Sequence, residues 1–405
     1  MKQNILFALL ANLVNAGFSW LMLLFIIRLG SKEDIGIFGL AQAIALPIHM
    51  FFTLKLRTVQ LSDINNKFKE EDYIGSRLYL AFGNLIFTAL IALIFYFDHI
   101  NYMVAICALA LSYSVAIFRE YYISIYQINQ LNKYFFISNL IQGFFSFLVF
   151  AFIFYLSKNI IYSILFYSLS KLFLIVIDNL LYKKVSDQIS SILIYQFISN
   201  KNKFFSLVKI GIPLGLTAVI SAFFTSIPRF HLEEFHGLEA LGVFTTIMSL
   251  VVILNLFMSS FIQAILTKMT KLYCENLNLF KKNIIKLLIL MTIFFFIFIL
   301  FIYNFSFNIL NIAFGHSYTS YQSEFLFAMI SGVVLCYFHL SNFLLNVQKT
   351  YREQIYIYIF SALSCFVSSY YLIPIFSING AIYSTIICYL LGFIMSIIVF
   401  KLKIK

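Results

Sequence analysis

Twelve apolar stretches of 18 to 27 residues, separated by short connections, leave this chain little choice but to fold as a bundle of membrane-spanning helices. They cover residues 5–27, 37–54, 78–97, 100–118, 134–156 and 160–181, then 204–228, 241–267, 287–305, 325–347, 355–375 and 380–400. Lipid satisfies no backbone hydrogen bond, so each stretch must be helical, and the lack of ten-residue alternation excludes an outer-membrane barrel. Twelve helices of about 20 residues take up roughly 240 positions, nearly the whole apolar share of a 405-residue chain that is 62% hydrophobic. No sizeable soluble domain fits in the remainder. Charged residues make up only 11%, against about 25% in soluble domains, which excludes a soluble globular, disordered or nucleic-acid-binding protein.

The net charge of +12 has a topological origin. An even number of spans puts both termini on one face, and of the 28 Lys and Arg, 22 fall in the connections sharing that face. Only Arg28, Lys32, Lys158 and Arg229 fall on the other, while Lys171 and Lys209 lie inside spans. The positive-inside rule makes both termini of this multi-pass protein cytoplasmic. The first stretch is too long for a signal-peptide core and reads as a retained helix. The five cysteines show no paired spacing, so neither a disulfide framework nor a zinc site is expected.

The long connection from Tyr182 to Lys203 separates two sets of six spans. Near the start of each set a phrase recurs, Glu33-Asp34-Ile35-Gly36-Ile37-Phe38 and Glu239-Ala240-Leu241-Gly242-Val243-Phe244, at an offset of 206 residues. We read two homologous six-helix lobes in parallel orientation, 1–203 and 204–405. The fold class is thus an all-α integral membrane protein with 12 transmembrane helices in two six-helix lobes.

Polar residues inside the spans fall into stripes at helical spacing: Asn12, Asn15 and Ser19; Asn139, Gln142 and Ser146; Thr217, Ser221 and Thr225; Asn255, Ser259 and Gln263; His339, Asn342 and Asn346. Any one stripe is accounted for by helix packing; five across both sets point to a wet central cavity. Charges sharpen the reading. A midspan lysine costs about 2.5–3.5 kcal/mol on insertion scales, so Lys171 needs a purpose. Its structural alternative is a water-bridged relation to Asp178, about 10 Å along the same helix, and for Lys209 it is snorkelling to the surface. Arg28 and Arg229 close the first helix of each set on the outer side, as interfacial anchors or as planar forks suited to phosphate. Asp178 is the one acid well inside a span. Surplus positive charge suits an anionic substrate.

Gly211-Ile-Pro213-Leu-Gly215 opens the seventh span as a packing kink or hinge. His231-Leu-Glu233-Glu234-Phe-His236 lacks a recognised metal spacing and reads as a solvated outer loop. No Walker-type glycine loop and no HExxH occurs, so ATP-driven transport within this chain, cofactors and metals are not expected.

Arg28-Leu29-Gly30, followed by Ile35-Gly36-Ile37-Phe38-Gly39 and Gln42-Ala43, resembles the segment joining the first two helices of bacterial polysaccharide repeat-unit flippases of the O-antigen and capsule type. These belong to the multidrug, oligosaccharidyl-lipid and polysaccharide (MOP) exporter superfamily, whose drug-exporting branch is MATE. Phe314-Gly315-His-Ser-Tyr318 and Asn379-Gly380-Ala381-Ile382 support the likeness. The resemblance implies a non-enzymatic flippase with two lobes rocking around a central cavity. Its partners would be membrane lipids, polysaccharide polymerase or assembly proteins, and a substrate of oligosaccharide on undecaprenyl pyrophosphate. The chemistry of the residues then assigns Arg28, Lys171, Lys209 and Arg229 to the pyrophosphate path, with Asp178 beside them, and Asn12, Asn15, Asn255 and Asn342 to sugar contacts.

Two rivals remain. A cation-coupled multidrug exporter of the same superfamily is expected to place an acid in the first or seventh helix, where this chain has Asn12, Asn15 and Lys209. A membrane glycan polymerase is expected to carry a long charged outer loop, and the outer connections here are short.

Overall fold

The structure, a computed structural model, describes residues 2–63, 68–185, 201–348 and 350–403. Eleven α-helices occur among the described residues: α1 (Lys2–Leu29), α2 (Lys32–Phe52), the short α3 (Leu56–Ser62), α4 (Glu70–Tyr96), α5 (Ile100–Ile128), α6 (Asn132–Ser157), α7 (Ile160–Val185), α8 (Lys201–Glu275), α9 (Leu277–Phe314), α10 (Gln322–Val347) and α11 (Tyr351–Lys403). A 3-10 turn, His316–Tyr321, joins α9 to α10. The chain falls into two compact units, Met1–Ala222 and Phe223–Lys405.

Ten stretches among the described residues are long and apolar enough to cross a bilayer, against the twelve expected. The difference lies in α8 and α11, which run for 75 and 53 residues. At a rise of 1.5 Å per residue these exceed a hydrocarbon core of about 30 Å at least twofold. Each is interrupted once by a residue outside the helical region, Gly237 (φ 76°, ψ −175°) and Ser377 (φ 49°, ψ −124°). At Ser377 the chain doubles back, because Lys403 at the far end of α11 makes an ion pair with Glu353 near its start. The bend is tight: a Cβ on Gly380 would lie 2.3 Å from the carbonyl oxygen of Leu372.

Helix starts follow local chemistry. Ser31 and Asp34 form a reciprocal capping box at the head of α2, with Ser31 Oγ accepting from the Asp34 amide at 3.1 Å and Asp34 Oδ2 accepting from the Ser31 amide at 2.8 Å. Asn276 caps α9 by accepting from the Leu279 amide at 2.9 Å. The repeated phrase is buried in both units: Ile35, Ile37 and Phe38 in one, Leu241, Val243 and Phe244 in the other, each within the first turns after a break in the helix.

Several sequence boundaries need correction. The outer loop expected over residues 229–240 is helical as far as Gly237, and that over 306–324 is mostly the end of α9 and the 3-10 turn. On the other side α4 begins eight residues earlier than expected and α5 ends ten residues later, which draws Arg77 and Arg119 from the connections into helices. The cause is pairing, described below: a hydropathy window stops at a charge, whereas a helix continues through one that has a partner. Residues 186–200 of the long connection, Lys67 of the turn before α4 and the side chain of Gln263 lie outside the described residues.

Candidate functional site

In the first unit α5 and α7 lie side by side in the same direction, joined by two polar rungs. Ser112 and Arg119 are seven residues apart on α5; Lys171 and Asp178 are seven apart on α7. Lys171 Nζ donates to Ser112 Oγ at 3.1 Å, and Arg119 Nε donates to Asp178 Oδ2 at 2.5 Å, both pairs being 59 residues apart in sequence. Seven residues make about two turns, so the rungs are about 10 Å apart along the helices.

The lower rung is complete. Arg119 is 5% exposed and Asp178 3%. The guanidinium donates to Gln142 Oε1, to Ser138 Oγ at 2.7 Å and to Asn139 Oδ1 at 3.4 Å. Ser138 Oγ donates to the second oxygen of Asp178, and Asn139 Nδ2 ties the group to the Ala11 carbonyl at 3.0 Å. Two expectations are corrected here. Asp178 pairs with Arg119 rather than bridging to Lys171, and Asn139 and Gln142, expected to line a cavity, hold a buried arginine. A second buried arginine sits nearby, Arg77, whose Nη2 donates to Gln60 Oε1 at 3.1 Å and Ser124 Oγ at 3.2 Å, with Glu120 at 3.6 Å. The sequence reading missed both arginines; the equal seven-residue spacing on α5 and α7 was the available signal.

The upper rung is incomplete. Among the described residues Lys171 meets the Ser112 hydroxyl and the face of Tyr167, 4.4 Å from its nitrogen, and no carboxylate. It lies eleven residues into α7, about 16 Å along the axis and so near the middle of a core of about 30 Å. From α2, His49 stacks on Tyr113 of α5, with ring centroids 4.7 Å apart and planes at 18°, within the electrostatic reach of Lys171. A half-buried ammonium with no countercharge among the described residues is chemically suited to meet an anion.

The other expected residues are scattered. Arg28 and Lys209 are exposed on α1 and α8. Arg229 is half-buried two turns before Gly237, within electrostatic reach of Tyr389. Asn12 and Asn15 are exposed on α1, more than 90° round the helix from the exposed Leu6 and Leu13. In the seventh-span stripe Thr217 and Ser221 bond the carbonyls of Leu214 and Ala218 at 2.8 and 2.7 Å, which satisfies them within their own helix. Asn255 is half-buried; Asn342 is buried, with neither end of its amide bonded among the described residues. The outer histidines hold no metal cluster among the described residues: His231 is buried against Phe366, and His236 contacts the Ile373 carbonyl at 2.8 Å.

Residues 1–272 match the family described as "Polysaccharide biosynthesis protein". The capsular polysaccharide biosynthesis protein CapF of Staphylococcus aureus is 30% identical over 294 residues, which cover 73% of this chain and 72% of that protein. The chain belongs to the polysaccharide biosynthesis protein family. Its fold is that of the MOP superfamily. A multidrug resistance MATE family transporter superimposes with a TM-score of 0.73 at 12% identity, over 98% of this chain and 94% of that one. The lipid II flippase MurJ does so with a TM-score of 0.71 at 15% identity, over 98% and 87%. This family member is therefore a multi-pass membrane protein, helical in its long segments among the described residues.

Proposed function

We propose that this chain flips oligosaccharide repeat units on undecaprenyl pyrophosphate across the bacterial inner membrane by alternating access, for assembly of a surface polysaccharide of the O-antigen or capsule kind. The lobes are 1–203 and 204–405, with both termini cytoplasmic. The observation that carries the reading is the Lys171 rung, an ammonium without a countercharge among the described residues, near mid-membrane and beside hydroxyl and aromatic groups. A diphosphate headgroup supplies the missing charge. Arg28, Lys209 and Arg229 are assigned to its path, and Asn12, Asn15, Asn255 and Asn342 to the sugars.

The cation-coupled exporter is less well supported. Such a carrier needs an intramembrane acid able to exchange a cation. Asp178 and Glu120, the acids deep in α7 and α5, are each engaged by an arginine.

The test is surface polysaccharide in a strain lacking the native copy. Lys171→Met is expected to lower it by roughly tenfold or more, the factor for losing a charged hydrogen bond, at unchanged membrane abundance. Lys171→Arg is expected to keep most of it. Full polysaccharide with Lys171→Met would overturn the assignment. Topology is checked separately: in a cysteine-free background, an impermeant thiol reagent outside the cell should label a cysteine at His316 and not one at Lys282. The reverse pattern would invert the orientation.

A further inference from the structure

We infer that His49 is a second ligand of the anion at Lys171 and that it takes up a proton as the anion binds. The inference rests on the proposed function above and adds to it a group that sequence reading did not single out.

Stacking on Tyr113 fixes the plane of the imidazole. Its Nδ1 is buried and has no hydrogen-bond partner among the described residues. A buried ring nitrogen without a partner costs free energy unless something else fills its direction. On α7 the nearest charge is Lys171, itself without a carboxylate partner among the described residues. Among the described residues, the other helices packed on α2 bring no further charge to this depth; α8 meets α2 at Phe51 through Gly215, and its lysines there, Lys201, Lys203 and Lys209, lie six or more residues before that contact. On α5 the facing group is Tyr113, while Arg119 and Glu120 lie about two turns further along and are paired. On α4 the charged residues are Glu70, Glu71, Asp72 and Arg77, all in its first eight residues, and on α1 they are Lys2 and Arg28 at its ends.

Two titratable nitrogens therefore share one layer, and among the described residues neither has an anionic partner. Without ligand, an imidazolium next to an ammonium would put two like charges together. A phosphoryl group between them supplies negative charge to both, so the ring accepts a proton from water and donates an N–H to a phosphate oxygen. The balance is one proton taken up for each anion bound; no covalent bond to the ligand forms. The site then grips the diphosphate more tightly as pH falls, and loss of that proton weakens the grip.

The experiment uses the full-length protein in lipid nanodiscs with farnesyl diphosphate as probe. Titration calorimetry in two buffers of different ionisation enthalpy gives the protons taken up on binding. Wild type is expected to take up close to one proton more than His49→Gln or His49→Phe. The phenylalanine variant keeps the stack on Tyr113 and removes both nitrogens. Both variants should bind about tenfold more weakly, and Lys171→Gln should abolish binding. Binding that depends on Lys171 with the same proton count in wild type and both His49 variants would overturn this inference and leave the proposed function standing. Failure of wild type to bind the probe, or binding indifferent to Lys171, would overturn both.

Discussion

Arg119→Ala is expected to prevent the protein from accumulating in the membrane. Removing the guanidinium leaves Asp178, 3% exposed, as a buried carboxylate with Ser138 as its remaining hydrogen-bond donor among the described residues. Taking one partner from a buried ion pair costs about 3–5 kcal/mol, a large part of the stability of an ordinary domain. Asp178→Ala is expected to do the same by stranding the arginine. The informative variant is the double replacement Arg119→Met with Asp178→Leu. It removes both charges, and buried pairs exchanged for apolar residues of similar volume are often neutral or stabilising. Thermal unfolding in detergent should show both single variants far below wild type and the double variant recovering most of the loss. A double variant as unstable as the singles would mean that the hydrogen bonds to Gln142, Asn139 and Ser138, rather than the ion pair, hold these helices together.

The second large effect is expected at Gly380. The three atoms nearest an added Cβ are all backbone, Leu372 O at 2.3 Å, Leu372 C at 2.6 Å and Ile373 Cα at 2.8 Å. No rotamer change relieves such a contact, so the hairpin of α11 must open. Overpacking costs typically about 1–3 kcal/mol, occasionally more; with only backbone to displace, Gly380→Ala should fall at or above the top of that range. Gly17→Ala is the matched control. It lies in α1 with nothing within 4 Å of the added carbon, and exchanging a helical glycine for alanine should gain about 0.5–1 kcal/mol. Equal thermal shifts for the two variants would refute the close approach at Leu372.

How far the sequence carried can be judged from particular residues. The membrane-spanning character followed from hydropathy, because lipid leaves backbone polar groups no partner but their own helix. The ends of α4 and α5 did not follow, because an arginine is tolerated in a span only when another helix answers it. Arg119 is answered from Asp178, 59 residues away, and from Gln142, 23 away. Such pairing leaves no trace within a hydropathy window; its one sign was the equal seven-residue spacing on α5 and α7. For the same reason Asp178 looked like a neighbour of Lys171, on the same helix face two turns on, when it was already engaged by α5. The polar stripes were legible as stripes, but their uses were not: Asn139 and Gln142 cradle an arginine, Thr217 and Ser221 bond their own helix, and Asn342 is buried without a partner among the described residues. The Asn379-Gly380 motif pointed to a family before the Leu372 contact gave it a physical reason.

The paired rungs also restrict how the first unit can deform. Sliding α7 along α5 by two turns toward the Arg119 end would set the ammonium of Lys171 against that guanidinium, two cations in one oily layer. A single-turn slip parts Lys171 from Ser112 and Arg119 from Asp178. Shear between these two helices is therefore opposed, by like charge in one case and by broken pairs in the other, so movements of this unit carry them as one block.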